Sequence, residues 1–163
     1  DTQAARPLYE RALAIREKLL PENDVDLGAS LNNLAEVLRA QDEYALARPL
    51  YTRALKVYEA QLGPDHPMVA TCMTNLAEVL RLSGDPQRAQ PLYEQARPVL
   101  VQSFGADHPS VASCLIGLAG VLRMRGKAAE AEPLYVEALA ILEKSAGPDS
   151  PDTAGCLSRM SEL

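Results

Sequence analysis

One interval governs this chain. Counting 42 residues on from Asn33-Leu34-Ala35-Glu36-Val37-Leu38-Arg39 reaches Asn75-Leu76-Ala77-Glu78-Val79-Leu80-Arg81, and 42 more reaches Gly117-Leu118-Ala119-Gly120-Val121-Leu122-Arg123. The same step links Pro7-Leu8-Tyr9, Pro49-Leu50-Tyr51, Pro91-Leu92-Tyr93 and Pro133-Leu134-Tyr135, and also Gly63, Gly105 and Gly147. A period of this length, held without slippage, is what stacked repeats produce, because each unit buries its apolar face on its neighbours rather than in one central core. With no Trp, one Phe and 47% hydrophobic residues, the buried surface must be built from Leu, Ala and Val. Such a composition suits close-packed helices.

Apolar spacing predicts two helices per period. Residues 2–20 carry Leu8, Ala12, Ile15 and Leu19 at helical intervals, and by register they form a second helix without its first. The helix over 25–40 has Leu31, Leu34, Ala35 and Leu38 on one face, with Ala29, Asn32, Glu36 and Arg39 opposite and Asn33 at the margin. After a turn at Gln41-Asp42, a second helix to residue 62 turns Tyr44, Ala47, Tyr51, Ala54 and Val57 inward, and Gly63 stops it as a left-handed cap would. Asp24, His66, His108 and Ser150 occupy equivalent places. Three of them precede a proline that is favoured at the first helical position, so they are expected to cap the following helix. Pro98 stands inside a second helix, where it removes a donor and crowds the Glu94 carbonyl. A kink or local break is expected there, either as a tolerated blemish or as a hinge.

The residues Leu31, Leu34, Ala35, Leu38, Ala47, Tyr51 and Ala54, with Met73, Leu76, Ala77, Leu80, Ala89, Tyr93 and Ala96 and then Leu115, Leu118, Ala119, Leu122, Ala131, Tyr135 and Ala138, resemble the tetratricopeptide repeat pattern. The 42-residue period, Leu31-Asn32-Asn33-Leu34-Ala35 and Gly63-Pro64-Asp65-His66-Pro67 look like the kinesin-light-chain variety of that repeat. The first helices depart from the pattern in lacking an aromatic at Leu38, Leu80 and Leu122, and Gly117 replaces the second Asn. The resemblance implies an all-α, right-handed α-solenoid of antiparallel helix-turn-helix units. They divide into a half repeat over 1–24, repeats over 25–66, 67–108 and 109–150, and a partial first helix over 151–163.

Several function classes recede on composition and spacing. The net charge is −6, with cations and anions interspersed, so nothing marks a nucleic-acid surface. No apolar run approaches the ~20 residues of a membrane span and no signal pattern opens the chain, so a cytoplasmic protein is expected. Cys72, Cys114 and Cys156 are one position in successive repeats, too far apart for the ~7 Å Cα separation a disulfide requires. His66 and His108 are likewise a repeat apart and do not form a metal site. Asp107, His108 and Ser110 lie in one turn and cannot converge as a triad. No catalytic residue, cofactor or metal is expected, and the chain is read as a non-enzyme.

A surface remains. In the family that the chain resembles, first helices line the concave face. The resemblance therefore implies a peptide-binding groove presenting Asn32, Asn33, Glu36 and Arg39, then Thr74, Asn75, Glu78 and Arg81, then Ile116, Gly120 and Arg123. Side-chain amides can both donate to and accept from an extended backbone, and the Arg39, Arg81 and Arg123 column would select acidic side chains. Glu36 with Arg39 and Glu78 with Arg81 equally read as i, i+3 pairs that solvate the helices. Gly117 and Gly120 remove side chains, so the groove is expected to be deepest at the third repeat.

The function expected is binding of a protein or peptide partner, such as another domain of the same parent chain. The alternative is a structural spacer or self-association array in a larger multidomain signalling protein. Because the chain opens on Asp1 partway through a repeat, it is expected to be an excised piece. Its two ends, with Leu8, Ala12 and Ile15 at one and Leu157 and Met160 at the other, are expected to associate weakly head-to-tail. In that register Asp1 corresponds to Glu43 and Leu163 to Val37.

Overall fold

The computed structural model describes residues 2–163, with side chains from Ala5 onward; Asp1, matched to Glu43 in the head-to-tail register, lies outside them. Eight helices and no strand occur among the described residues: α1 (Thr2–Leu19), α2 (Val25–Ala40), α3 (Tyr44–Leu62), α4 (Pro67–Leu82), α5 (Pro86–Phe104), α6 (Pro109–Met124), α7 (Ala128–Ala146) and α8 (Pro151–Met160). Each helix packs on the next in sequence. The first helices also touch across repeats, α4 on α6 and α2 on α4, whereas α3, α5 and α7 make no comparable contact with one another. Elements that approach on one side and spread on the other bend a stack, so the first helices occupy the tighter side.

Small residues set the spacing of the layers. Ala35, Ala77 and Ala119 in the first helices, and Ala47, Ala54, Ala89, Ala96, Ala131 and Ala138 in the second, are all fully buried. An alanine at a crossing lets two helix backbones approach to the short end of the usual 8–10 Å range. Around these contacts pack Leu31, Leu115, Val69, Val79, Val111 and Val121, and the repeating tyrosines Tyr51, Tyr93 and Tyr135. Burying a large apolar side chain stabilises by roughly 1.5–3 kcal/mol, so each helix–helix layer is held by several such terms.

The four first helices are capped at the expected residues. Asp24 Oδ1 accepts from Asp26 N at 2.8 Å, and His66 Nδ1 and His108 Nδ1 accept from Met68 N and Ser110 N at 3.1 Å. Ser150 Oγ accepts from Thr153 N at 3.2 Å. The turn between paired helices uses a positive φ at Asp42, Gly84 and Gly126, which are again 42 apart. Asp42 tolerates that conformation better than most residues, and its carboxylate accepts from the Tyr44 hydroxyl.

Two local expectations are corrected. Gly63, at φ 85 and ψ 160, is not left-handed helical. It lies in the extended mirror region open essentially to glycine alone, which throws the chain outward toward the next cap instead of curling it back. Of the kink or local break expected at Pro98, the break does not occur, since α5 is continuous from Pro86 to Phe104. Pro98 and Glu94 both lie on the solvent side, where water can satisfy the freed carbonyl. Pro49, Pro91 and Pro133 are also carried inside their helices. Arg97, which replaces the leucine of other repeats, reaches α7 and donates to both Glu137 carboxylate oxygens at 2.9 Å.

Candidate functional site

Along the tighter side runs a cavity of about 510 Å³, bounded by first helices α2, α4, α6 and α8. Five of the residues expected at a groove line it: Arg39, Thr74, Asn75, Glu78 and Ile116. Tyr93, Ser113, Asp152 and Arg159 line it as well, and sequence reasoning missed them. Arg159 was nonetheless within reach of the repeat, since it stands 42 residues beyond Gly117 and 84 beyond Asn75. Tyr93 was hidden by the behaviour of its equivalents, because Tyr51 and Tyr135 are core residues that do not line this cavity.

The other expected residues lie elsewhere. Asn32 is half-buried and faces a separate cavity of about 180 Å³ with Tyr58, Met68 and Phe104. Asn33 and Glu36 are exposed, and Glu36 Oε1 accepts from Asn75 Nδ2 at 3.3 Å. Arg123 turns to the chain's last turn and pairs with Glu162 at 3.1 Å. Arg81 donates from Nε to Glu78 Oε2 at 2.8 Å and from Nη2 to Oε1 at 2.7 Å. Its side chain is only 14% exposed. The three arginines of the column therefore stand in three different environments.

The repeat-two pair is more than a solvated i, i+3 contact. The Tyr93 hydroxyl donates to Glu78 Oε2 at 2.8 Å, so one carboxylate receives three hydrogen bonds in a partly dry setting. Burial alone would raise the Glu78 carboxyl, but the Arg81 hydrogen bonds and charge, with the Tyr93 hydroxyl, hold it below the usual carboxylate value. Burial and the adjoining Glu78 charge push the Tyr93 hydroxyl up from its ordinary value.

Gly117 of α6 lines the cavity, while neighbouring side chains take up the space that side chains at Gly117 and Gly120 would need. A Cβ on Gly117 would lie 2.5 Å from Tyr93 Cε1, and one on Gly120 would lie 3.3 Å from Arg81 Cδ. Both glycines are buried by residues of the preceding repeat. Cys72, Cys114 and Cys156 are free and buried, and their thiols point at the carbonyls of Tyr51, Tyr93 and Tyr135. Burial pushes Cys72 and Cys114 up to about 12, which leaves them as inert thiols. Among the described residues no group of three or more His, Cys, Asp or Glu is arranged to hold a metal ion, and no helix is long and apolar enough to cross a membrane.

The tetratricopeptide repeat family model matches residues 1–59, 26–100 and 92–144. The chain belongs to the tetratricopeptide repeat family. Repeats of this family generally mediate protein–protein interaction, and the fold is typically non-enzymatic. Among solved structures, BtubC (BKLC) from P. vanneervenii is similar at 25% identity and a TM-score of 0.82, over 99% of this chain and 65% of that one. A single-substitution variant of a Podosopora anserina protein, described as a kinesin light chain with nearly identical TPR-like repeats, is similar at 24% identity and a TM-score of 0.81, over 99% of this chain and 76% of that one. A TPR-like protein of Chlorobium tepidum shares the fold at 19% identity and a TM-score of 0.69, over 83% of this chain and 93% of that one. No curated protein matches the chain in sequence. The structure is thus an all-α tetratricopeptide solenoid of the kinesin-light-chain type.

Proposed function

We propose that this tetratricopeptide array binds a peptide segment of a protein partner along its first-helix side and that it favours acidic segments. The observation that carries the reading is the cavity shared by Arg39, Thr74, Asn75, Glu78, Ile116 and Arg159. Arg159 makes no hydrogen bond or ion pair among the described residues, and Arg39 has no carboxylate partner there. Two guanidinium groups with no hydrogen-bonded carboxylate, on a wall that also carries Glu78, Asp152 and amide and hydroxyl groups, suit a carboxylate-bearing extended chain. Asn75 would meet the ligand's backbone, and Asn33 would extend the same row onto the exposed part of α2. By the same reading, the partner segment can come from another domain of the parent chain. Binding of an acidic peptide array should fall when Asn33→Ala and Asn75→Ala are combined and should weaken as salt rises. Binding indifferent to both would remove the proposal.

A second reading, self-association, is favoured by the exposed apolar face of α1. Leu8 is 69% and Ile15 48% exposed, while Val57, the equivalent of Ile15, is buried. Leu157 on α8 is 47% exposed, although its equivalents Leu31, Met73 and Leu115 are buried. A second copy placed head-to-tail would cover both faces. Sedimentation that shows a monomer at all concentrations would dispose of this reading.

A further inference from the structure

Three junctions in the array set an arginine of one first helix against the residue 39 positions on. At the last junction the pair forms across the repeats, Arg123 to Glu162 at 3.1 Å. At the middle junction the partner is missing, because position 120 is glycine, and Arg81 lies against it with Cδ 3.3 Å from where a Cβ would be. Arg81 instead takes Glu78 of its own helix in a fork of two hydrogen bonds. At the first junction Glu78 is the residue that Arg39 would reach, and both stand on the wall of one cavity. Yet Glu78 is held by Arg81 and by the Tyr93 hydroxyl at 2.8 Å, and Arg39 Nε is buried with no partner.

We propose that Gly120 is the specificity-determining residue of this groove: by withholding a carboxylate from Arg81, it shifts the pairing back one repeat and leaves Arg39 free, with Arg159, to receive an anionic side chain of a peptide. This rests on the peptide-binding reading. The glycine at 117 secures the shift. With any side chain there, Tyr93 could not occupy its place under α6 or hold Glu78 from the other side. Two glycines inside one helix are unfavourable to that helix taken alone, so their presence calls for a benefit across the junction. The pairing they permit supplies it.

Gly120→Glu tests the shift directly, because the contact at 120 is with a flexible arginine stem that can move aside. The introduced carboxylate would recapture Arg81, release Glu78 to Arg39, and quench the site. The probe is a short fluorescein-labelled peptide of alternating glutamate and alanine, with its glutamine counterpart as control. Gly120→Glu and Arg39→Ala should each weaken binding about tenfold, the size of one lost charge-assisted contact. Adding Glu78→Gln to Gly120→Glu should restore it, since the neutral amide cannot neutralise Arg39. Loss without rescue would mean that the new side chain merely blocks the groove, and no loss would mean that Arg39 is not the receptor; either overturns the proposal. If the wild-type protein ignores the peptide, the peptide-binding reading fails, and a double-mutant cycle on thermal unfolding still judges the pairing. Arg81 and Glu78 should be coupled in the wild-type protein and uncoupled in Gly120→Glu, where coupling passes to Arg39 and Glu78; coupling unchanged by Gly120→Glu would overturn the shift itself.

Discussion

The junction between repeats one and two and the junction between repeats two and three share a sequence register but not a structure. In the first, Glu36 stays at the surface, Arg39 is half-buried without a carboxylate, and the Tyr51 hydroxyl is buried beside the Arg39 guanidinium with no acceptor for its own proton among the described residues. In the second, Glu78, Arg81 and Tyr93 turn toward one another and close a network at hydrogen-bonding distance. The residues that differ are not in the network. Among them are Gly117 and Gly120 on the facing helix, where the preceding repeat has Asn75 and Glu78. A repeat array thus acquires an individual site through what one repeat omits, and the omission acts on its neighbour.

The harshest way to break the contrast is to restore the asparagine of the other repeats. Gly117→Asn places a side chain against the Tyr93 ring, which cannot retreat because it is fully buried. Overpacking of this kind should cost about 3 kcal/mol, at the upper end of its usual range, and lower Tm by roughly 6–12 °C. Thermal unfolding of the variant measures it.

Removing the acceptor at each junction comes next. Glu78→Ala leaves Arg81 and the Tyr93 hydroxyl unpaired and should cost about 2–3 kcal/mol in urea unfolding. Glu36→Ala, on the exposed side, should change stability by less than about 0.5 kcal/mol. Acid reports the same carboxylate. Its folded pKa is held below the unfolded value, so the unfolded state binds more protons between the two. That contribution is complete above the ordinary carboxylate pKa and declines as pH falls below it, and Glu78→Gln should abolish that part of the acid dependence.

Much of this architecture is legible in the repeat register alone. Equal spacing of alanine, tyrosine and glycine marks out eight helices, their order, their caps at Asp24, His66, His108 and Ser150, and a shared first-helix face. What stays hidden is how positions of identical register diverge. Arg39, Arg81 and Arg123 read as one column because spacing records which face a side chain leaves from, whereas its partner depends on the size of residues a repeat away. Pro98 misleads for a related reason: a missing donor matters only where water cannot reach the freed carbonyl, and exposure is a property of the stack. Asn32 and Thr74 share one register position, yet they line separate cavities.

The smallest of these changes probes the contrast most directly, since it removes one oxygen atom from each junction and leaves the rings in place. Tyr93→Phe takes away the hydroxyl that donates to Glu78, and Tyr51→Phe takes away a hydroxyl that is buried with no acceptor among the described residues. Measured side by side in urea, Tyr93→Phe should cost about 1.5 kcal/mol, while Tyr51→Phe should be neutral or stabilising by up to about 1 kcal/mol. Equal losses at the two tyrosines would contradict the claim that the glycines of α6 make the second junction different from the first.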